Sequence, residues 1–281
     1  MSDAARLPEF GSAPGGQSLM ASPVRTACNC GLRTRALPSR NCCTTIRNTP
    51  IDTPDLAIFS QAELFANNFP PIWENPDVTC VQLDPLRLFP EAKIRVRNLS
   101  PTASAVNASI HFSTSAFGIG TRKGPQATRV VWIAPSAQVE VEFPLPKAIF
   151  EGDPRVGIHV EIEHPADRNR LNNSGSQMFD GGSTSLSGRS FDVLFAVAND
   201  TPAPRRIDLF VLQGDLMASV APATYMFGPF EQITARLEIE VPSFVTGSPA
   251  APSWRAVTVV GRSPQDGAIV GGLTRLLRID T

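Results

Sequence analysis

Ile94-Arg95-Val96-Arg97-Asn98-Leu99-Ser100-Pro101 is matched further along the chain by Leu194-Phe195-Ala196-Val197-Ala198-Asn199-Asp200-Thr201-Pro202, with Asn98 and Asn199 set 101 residues apart. Each stretch is a strand-like run that stops at an Asn, which tolerates a left-handed backbone, followed by a Pro, which cannot donate to a ladder. A second landmark repeats at nearly the same spacing: His164-Pro165-Ala166-Asp167 and Ser263-Pro264-Gln265-Asp266, whose prolines are 99 residues apart. Two unrelated landmarks sharing one offset point to tandem copies of one fold. A repeat of about 100 residues has the size of an immunoglobulin-like sandwich.

Outward from these landmarks, period-two alternation marks strands in both copies. In the first, Ile94 and Val96 alternate with Lys93, Arg95 and Arg97. Val139, Val141 and Phe143 alternate with Gln138, Glu140 and Glu142, and Val156, Ile158, Val160 and Ile162 with His159, Glu161 and Glu163. The second copy repeats the design with Leu237, Ile239 and Val241 against Arg236, Glu238 and Glu240, and with Val257 and Val259 near Trp254. Such runs suit sheets with one face in a core and one in water. In an immunoglobulin-like order, Lys93–Arg97 pairs antiparallel with Gln138–Phe143, which sets Arg95 and Arg97 across from Glu140 and Glu142.

Composition agrees. The 26 Pro and 20 Gly among 281 residues favour short strands and many turns over long helices. The expected fold is all-β: two tandem immunoglobulin-like sandwiches at 54–180 and 181–281 behind an irregular tail at 1–53, with the junction near the Gly- and Ser-rich segment Ser174 to Gly188. A net charge of −1 with scattered basic residues lacks the basic stripe that phosphate neutralisation needs, so nucleic acid is not an expected partner. No apolar run approaches the 18 or so residues of a membrane span, and no signal-peptide core opens the chain. Cytoplasmic synthesis is therefore the default expectation, with incorporation into a larger particle compatible with it.

The tail is a separate compositional zone. Between Glu9 and Asp52 it has no acidic residue, while Arg25, Arg33, Arg35, Arg40 and Arg47 are spread among Ser, Thr, Pro and Gly. Too little apolar surface is available there to offset chain entropy. The tail is expected to serve as an arm that docks on a protein partner or another copy of the chain. Arg33, Arg35, Arg40 and Arg47 supply salt-sensitive attraction, and Ile46 and Ile51 supply apolar anchors.

Residues 54–180 resemble the bacterial cell-adhesion-related (CARDB) domain, an immunoglobulin-like module. The resemblance rests on Pro54-Asp55-Leu56, Pro76-Asp77-Val78, Val96-Arg97-Asn98 and Asp167-Arg168-Asn169-Arg170-Leu171-Asn172-Asn173. The second copy lacks the Asp-x-Asn…Asn-Asn ending and reads as a generic sandwich. The resemblance implies a spacer, adhesive or accessory role without catalytic residues.

Candidate chemistry is sparse. The three histidines, His111, His159 and His164, lie in or beside strands, and no nucleophile-elbow, zincin or phosphate-loop motif occurs. No enzyme and no cofactor are expected. His159 and Glu161 share a strand face that could hold a metal, although a solvated polar face is the plainer reading. Asp167, Asn169, Asn172 and Asn173 offer oxygen ligands of the kind calcium takes, or else the side-chain-to-backbone bonds of a long hairpin. Cys28, Cys30, Cys42 and Cys43 could close a zinc site, but Cys-x-Cys…Cys-Cys departs from the usual knuckle, and free thiols are the alternative. Cys80 reads as a small core residue of a strand. The leading functional expectation is a non-catalytic structural or protein-binding subunit, associating with protein partners or as a homo-oligomer. The competing expectation is an accessory module recognising carbohydrate or calcium through end loops.

Overall fold

The computed structural model describes residues 52–81, 91–145, 155–179, 189–246 and 253–279. The regular structure of these residues is nearly all strand, arranged as two sandwiches. In the first, one sheet contains β1 (Leu56–Ala57), β2 (Val78–Val81), β3 (Glu91–Asn98) and β7 (Gln138–Pro144). The facing sheet runs in the order β6 (Ala127–Ile133), β4 (Ala105–Ala116), β8 (Val156–Glu163), β9 (Ser174–Phe179). In the second, β12 (Met217–Ala221), β14 (Gln232–Glu240) and β10 (Ser190–Ala198) face a sheet ordered β13 (Thr224–Phe227), β11 (Arg205–Leu212), β15 (Ser253–Arg262), β16 (Ile269–Ile279).

The alternating runs bury the faces their patterns assign. Ile94, Val96, Val141, Phe143, Ile158, Val160 and Ile162 enter the first core, where the rings of Phe112 and Phe143 stack with centroids 4.7 Å apart. Leu237, Ile239, Val241, Val257 and Val259 enter the second. Strand β3 does pair antiparallel with β7, and Arg95 stands opposite Glu140. The rest of the expected charge register is corrected: Arg97 faces Gln138, and Glu142 faces Lys93. The Lys93 ammonium reaches both Glu140 (3.2 Å) and Glu142 (2.9 Å). Arg97 instead turns to the buried carboxylate of Asp77.

The two echoed landmarks occupy matching places. Asn98 ends β3, and its amide donates to the carbonyl of Ala103 (2.7 Å) while its oxygen accepts from the Ser100 N–H (3.1 Å). Asn199 follows β10, and its amide donates to the Ala203 carbonyl (2.7 Å) while its oxygen accepts from the Thr201 N–H (3.2 Å). Both side chains are 1% exposed. The repeated Asn is thus a buried bracket for the turn that carries the chain from one sheet to the other, which explains why it recurs in both copies.

Two details of local structure add to this. Ser174–Phe179, at the start of the Gly- and Ser-rich segment, forms β9, the last strand of the first sandwich, paired with β8 from Val156↔Phe179 to Glu161↔Ser174. A helix also interrupts the all-β pattern: α1 (Gln61–Ala66), whose first turn is capped by the Ser60 hydroxyl accepting from the Glu63 N–H. Ser60-x-x-Glu63 is a capping-box spacing and was legible as a helix start.

The sandwiches are not independent. After β4 the chain leaves the first sandwich as Phe117-Gly118-Ile119-Gly120. Residues Gly118–Ile119 form β5, which pairs parallel with β10 of the second sandwich, Gly118↔Ala196 and Ile119↔Val197. Phe117 and Ile119 belong to the second hydrophobic core, together with Trp73 and Met178 from elsewhere in the first half. Gly118 is required by this approach, since a Cβ there would lie 2.1 Å from the Ala196 carbonyl oxygen. Trp73 lies against Gly272 of β16, where a Cβ would meet the indole at 2.3 Å, and the Trp73 backbone N–H donates to the Thr274 hydroxyl (2.8 Å).

Candidate functional site

The candidate site residues that fall among the described residues lie in two places: one end of the first sandwich, and the outer face of the β4–β8 pair.

At the end of the first sandwich, four segments converge, at residues 54–56, 76–78, 96–98 and 167–173. The Asp55 N–H donates to Asn98 (3.3 Å), and the Leu99 N–H donates to the Asp55 carbonyl (2.7 Å). Asp167 accepts from the N–H groups of Leu56 (3.3 Å) and Asn169 (3.2 Å) and from the Asn173 amide (2.9 Å). Asn169 caps a 3-10 turn at Arg170–Asn172 by accepting from the Leu171 N–H (3.2 Å), and Asn172 is buried. Nearby, Asp77 accepts from the Phe59 N–H (2.8 Å) and pairs with Arg97. The oxygens of Asp167 and Asn169 that would ligate calcium are therefore engaged with N–H donors, in the manner of a hydrogen-bonded hairpin. Among the described residues no group of three or more His, Cys, Asp or Glu is placed to hold a metal ion. Cys28, Cys30, Cys42 and Cys43, and the docking residues Arg33, Arg35, Arg40, Arg47, Ile46 and Ile51, lie outside the described residues, as does the side chain of Cys80.

On the outer face of β4 and β8, strand alternation turns His111, Ser113 and Ser115 to the same side as His159, Glu161 and Glu163. His111 bridges Thr128 (2.9 Å) and Glu163 (3.3 Å). His164, at the strand end, reaches the Val106 carbonyl (3.1 Å). His159 does not join Glu161. Its Nε2 lies 2.9 Å from the Ser115 hydroxyl, and the Thr121 hydroxyl is 3.0 Å from Ser115 Oγ and 2.9 Å from the Ala116 carbonyl oxygen. Burial, helped by the nearby Lys123 ammonium, lowers the His159 pKa to about 4, so the ring is neutral at ordinary pH. A Ser–His pair alone is half of a hydrolytic triad, which also needs a carboxylate to orient the ring. Among the described residues no carboxylate is bonded to His159. What the hydroxyl chain does join is the last turn of β4 to Thr121, immediately beyond β5.

These groups border a cleft of about 290 Å³ between the sandwiches, lined by Gln61, Trp73, Thr121, Lys123, His159 and Asp200 among others. A second groove of about 710 Å³ is lined by Phe117, Arg122, Arg155 and Leu194. In it the Arg155 guanidinium sits 5.2 Å over the Phe117 ring and donates to the Leu194 carbonyl (2.6 Å). Both hollows flank the strand that crosses from one sandwich to the other. Sequence reading singled out His159 but missed Ser115, Thr121 and Trp73, whose partners are set by tertiary packing and leave no local pattern.

No helix among the described residues is long and apolar enough to cross a membrane. No family model matches the chain, and no curated protein matches it. Among solved structures it is similar to red sea bream transglutaminase (8% identity, TM-score 0.24, covering 73% of this chain and 31% of that one). It is similar also to Escherichia coli alpha-2-macroglobulin activated by porcine elastase (9% identity, TM-score 0.28, covering 83% and 22%). A third likeness is to a protein of unknown function from Porphyromonas gingivalis W83 (11% identity, TM-score 0.25, covering 73% and 98%). The chain spans less than a third of the transglutaminase and of the macroglobulin. Likenesses of this size say nothing about activity.

Proposed function

We propose that this chain is a non-catalytic structural or protein-binding subunit of a larger assembly, with its paired sandwiches acting as one stiff spacer. The observation that carries the reading is the splice. Strand β5 and Trp73 come from the first half of the chain and are buried in the second, at 0% exposure for Ile119 and 2% for Trp73. Two domains joined only by a linker rotate freely, whereas burying each other's side chains resists bending. The polar groups at the seam serve the same end: Ser115, Thr121 and His159 tie down the crossing strand, and Asp167 and Asn169 tie down the far end. A CARDB-like kinship for residues 54–180 would fit a spacer. The acid-free, Arg-bearing segment before Asp52 is the proposed docking arm, toward protein partners or other copies.

Sedimentation velocity on the full chain, with and without residues 1–50, tests this. Self-association above the 30.2 kDa monomer at micromolar concentration, weakened by the deletion, is the expected result. A strict monomer at every concentration refutes the assembly reading. An unchanged assembly state after the deletion refutes the role of the arm.

A further inference from the structure

Strand edges are where sheet proteins join one another, and folded monomers ordinarily blunt them. This molecule does so at three of its edge strands. The outer edge of β9 is covered by the Gln61 side chain, whose amide bonds both the N–H (3.1 Å) and the carbonyl (2.8 Å) of Ser176 as a neighbouring strand would. The edge of β12 is met by Gln213, whose side-chain oxygen accepts from the Ala218 N–H (2.7 Å). Strand β13 is only four residues long, lying between Pro222 and Pro229.

Strand β6 has no such protection among the described residues. It is the outermost strand of its sheet and pairs only with β4, in regular register from Ala108↔Val131 to Phe112↔Ala127. Alternate residues of an edge strand turn their N–H and C=O groups away from the sheet. Its seven residues, Ala-Thr-Arg-Val-Val-Trp-Ile, are rich in β-branched and aromatic types, with no Pro and one charge, Arg129. Val130 and Trp132 are each 61% exposed and lie on the same face of the strand.

We propose that β6 is a homotypic pairing edge: two copies of this chain join β6 to β6 antiparallel about Val130, fusing two four-stranded sheets into one. The occupant is a second copy because the strand is complementary to itself about that centre. Val130 meets Val130, Thr128 meets Trp132 and Arg129 meets Val131, so no like charges fall directly opposite and each indole covers a threonine methyl. The inference rests on the assembly reading above and names the surface that assembly uses.

Sedimentation velocity on full-length Val130→Lys, Val130→Glu and their equimolar mixture tests it, with Phe244→Lys, an exposed site (73%) in the second sandwich, as control. Val130 is a surface side chain, so both variants keep the fold, which circular dichroism verifies. In either variant alone the pairing sets like charges across the two-fold, and self-association weakens by about tenfold or more. The mixture restores association, because Lys then faces Glu, and the control matches wild type. Wild type and both variants associating equally would overturn the β6 edge and leave the assembly reading standing. A wild type that is monomeric throughout would overturn both. Loss of association in the variants without recovery in the mixture would overturn the antiparallel register about Val130.

Discussion

Ile119→Ala is the most direct test of the splice. Ile119 belongs by sequence to the first half of the chain, has no exposed surface, and packs with Ile207 and Leu209 of the second core about Gly261. Truncation removes roughly three methylene equivalents, or about 2.4 kcal/mol of transfer free energy, and a residual cavity raises this to about 3–4 kcal/mol. The cavity term applies in full because β5 is held on both sides, by its ladder to β10 and by the Thr121 and Ser115 hydroxyls, and so cannot sink into the gap. With a urea dependence of about 3 kcal/mol per M, the midpoint falls by about 1 M. Hydrogen exchange along a urea series, read by mass spectrometry, assigns that loss to a region. Peptides from β10 and β14 should lose protection about 1 M earlier than in wild type, at least as large a shift as in peptides from β3 and β7. A shift confined to β3 and β7, or one under about 0.3 M everywhere, would refute the claim that β5 is an energetic part of the second sandwich.

Other outcomes follow from single sites. His159 has a folded pKa of about 4 against an ordinary 6.5, so the folded state resists its protonation; its contribution is full above pH 6.5 and is lost as the pH falls toward 4. The loss reaches about 3 kcal/mol, and His159→Gln, which does not titrate, should flatten a plot of urea midpoint against pH between 7 and 4.5. Asn98→Ala and Asn199→Ala each strand buried carbonyls and should each cost at least about 2 kcal/mol in chemical denaturation. Asn98→Asp should do nearly as badly as Asn98→Ala, since a carboxylate cannot donate to the Ala103 carbonyl; wild-type stability in that variant would contradict the bracket role. Gly272→Val drives a side chain into the Trp73 indole, and should expose that ring to acrylamide quenching in a variant whose only tryptophan is Trp73.

Much of this architecture is legible in the sequence alone. Alternation in 93–97, 138–143, 156–163, 236–241 and 257–259 marks strands whose core faces are governed by a period of two, a purely local property. The Asn98/Asn199 echo was readable because both copies solve the same turn with the same buried amide. The seam was not. Phe117-Gly118-Ile119-Gly120 has the composition of a turn, and only contact with a strand nearly eighty residues later makes it one of the second sheet's own. Trp73 sits in a Pro- and Asn-rich stretch with no periodicity, and its receptor is the absence of a side chain at Gly272. The Arg97 pairing failed for a geometric reason: in an antiparallel ladder that sets Arg95 opposite Glu140, Arg97 falls opposite Gln138, and its guanidinium goes to the buried Asp77, bonded to the Phe59 N–H. His159 bonds the Ser115 hydroxyl, and Asp167 bonds backbone N–H groups and the Asn173 amide, partners that tertiary packing supplies.

Strand β5 also bears on how such a chain can be inherited. Tandem copies of one fold usually behave as cassettes that recombination can move singly. Here a gene fragment encoding only residues 189–279 would carry a sheet missing one of its members and a core without Phe117, Ile119 and Trp73. A fragment ending before β10 would leave those same apolar side chains with nothing to cover them. The crossing strand makes the two sandwiches a single heritable unit, and a chain that carries the second half alone needs another strand in place of β5.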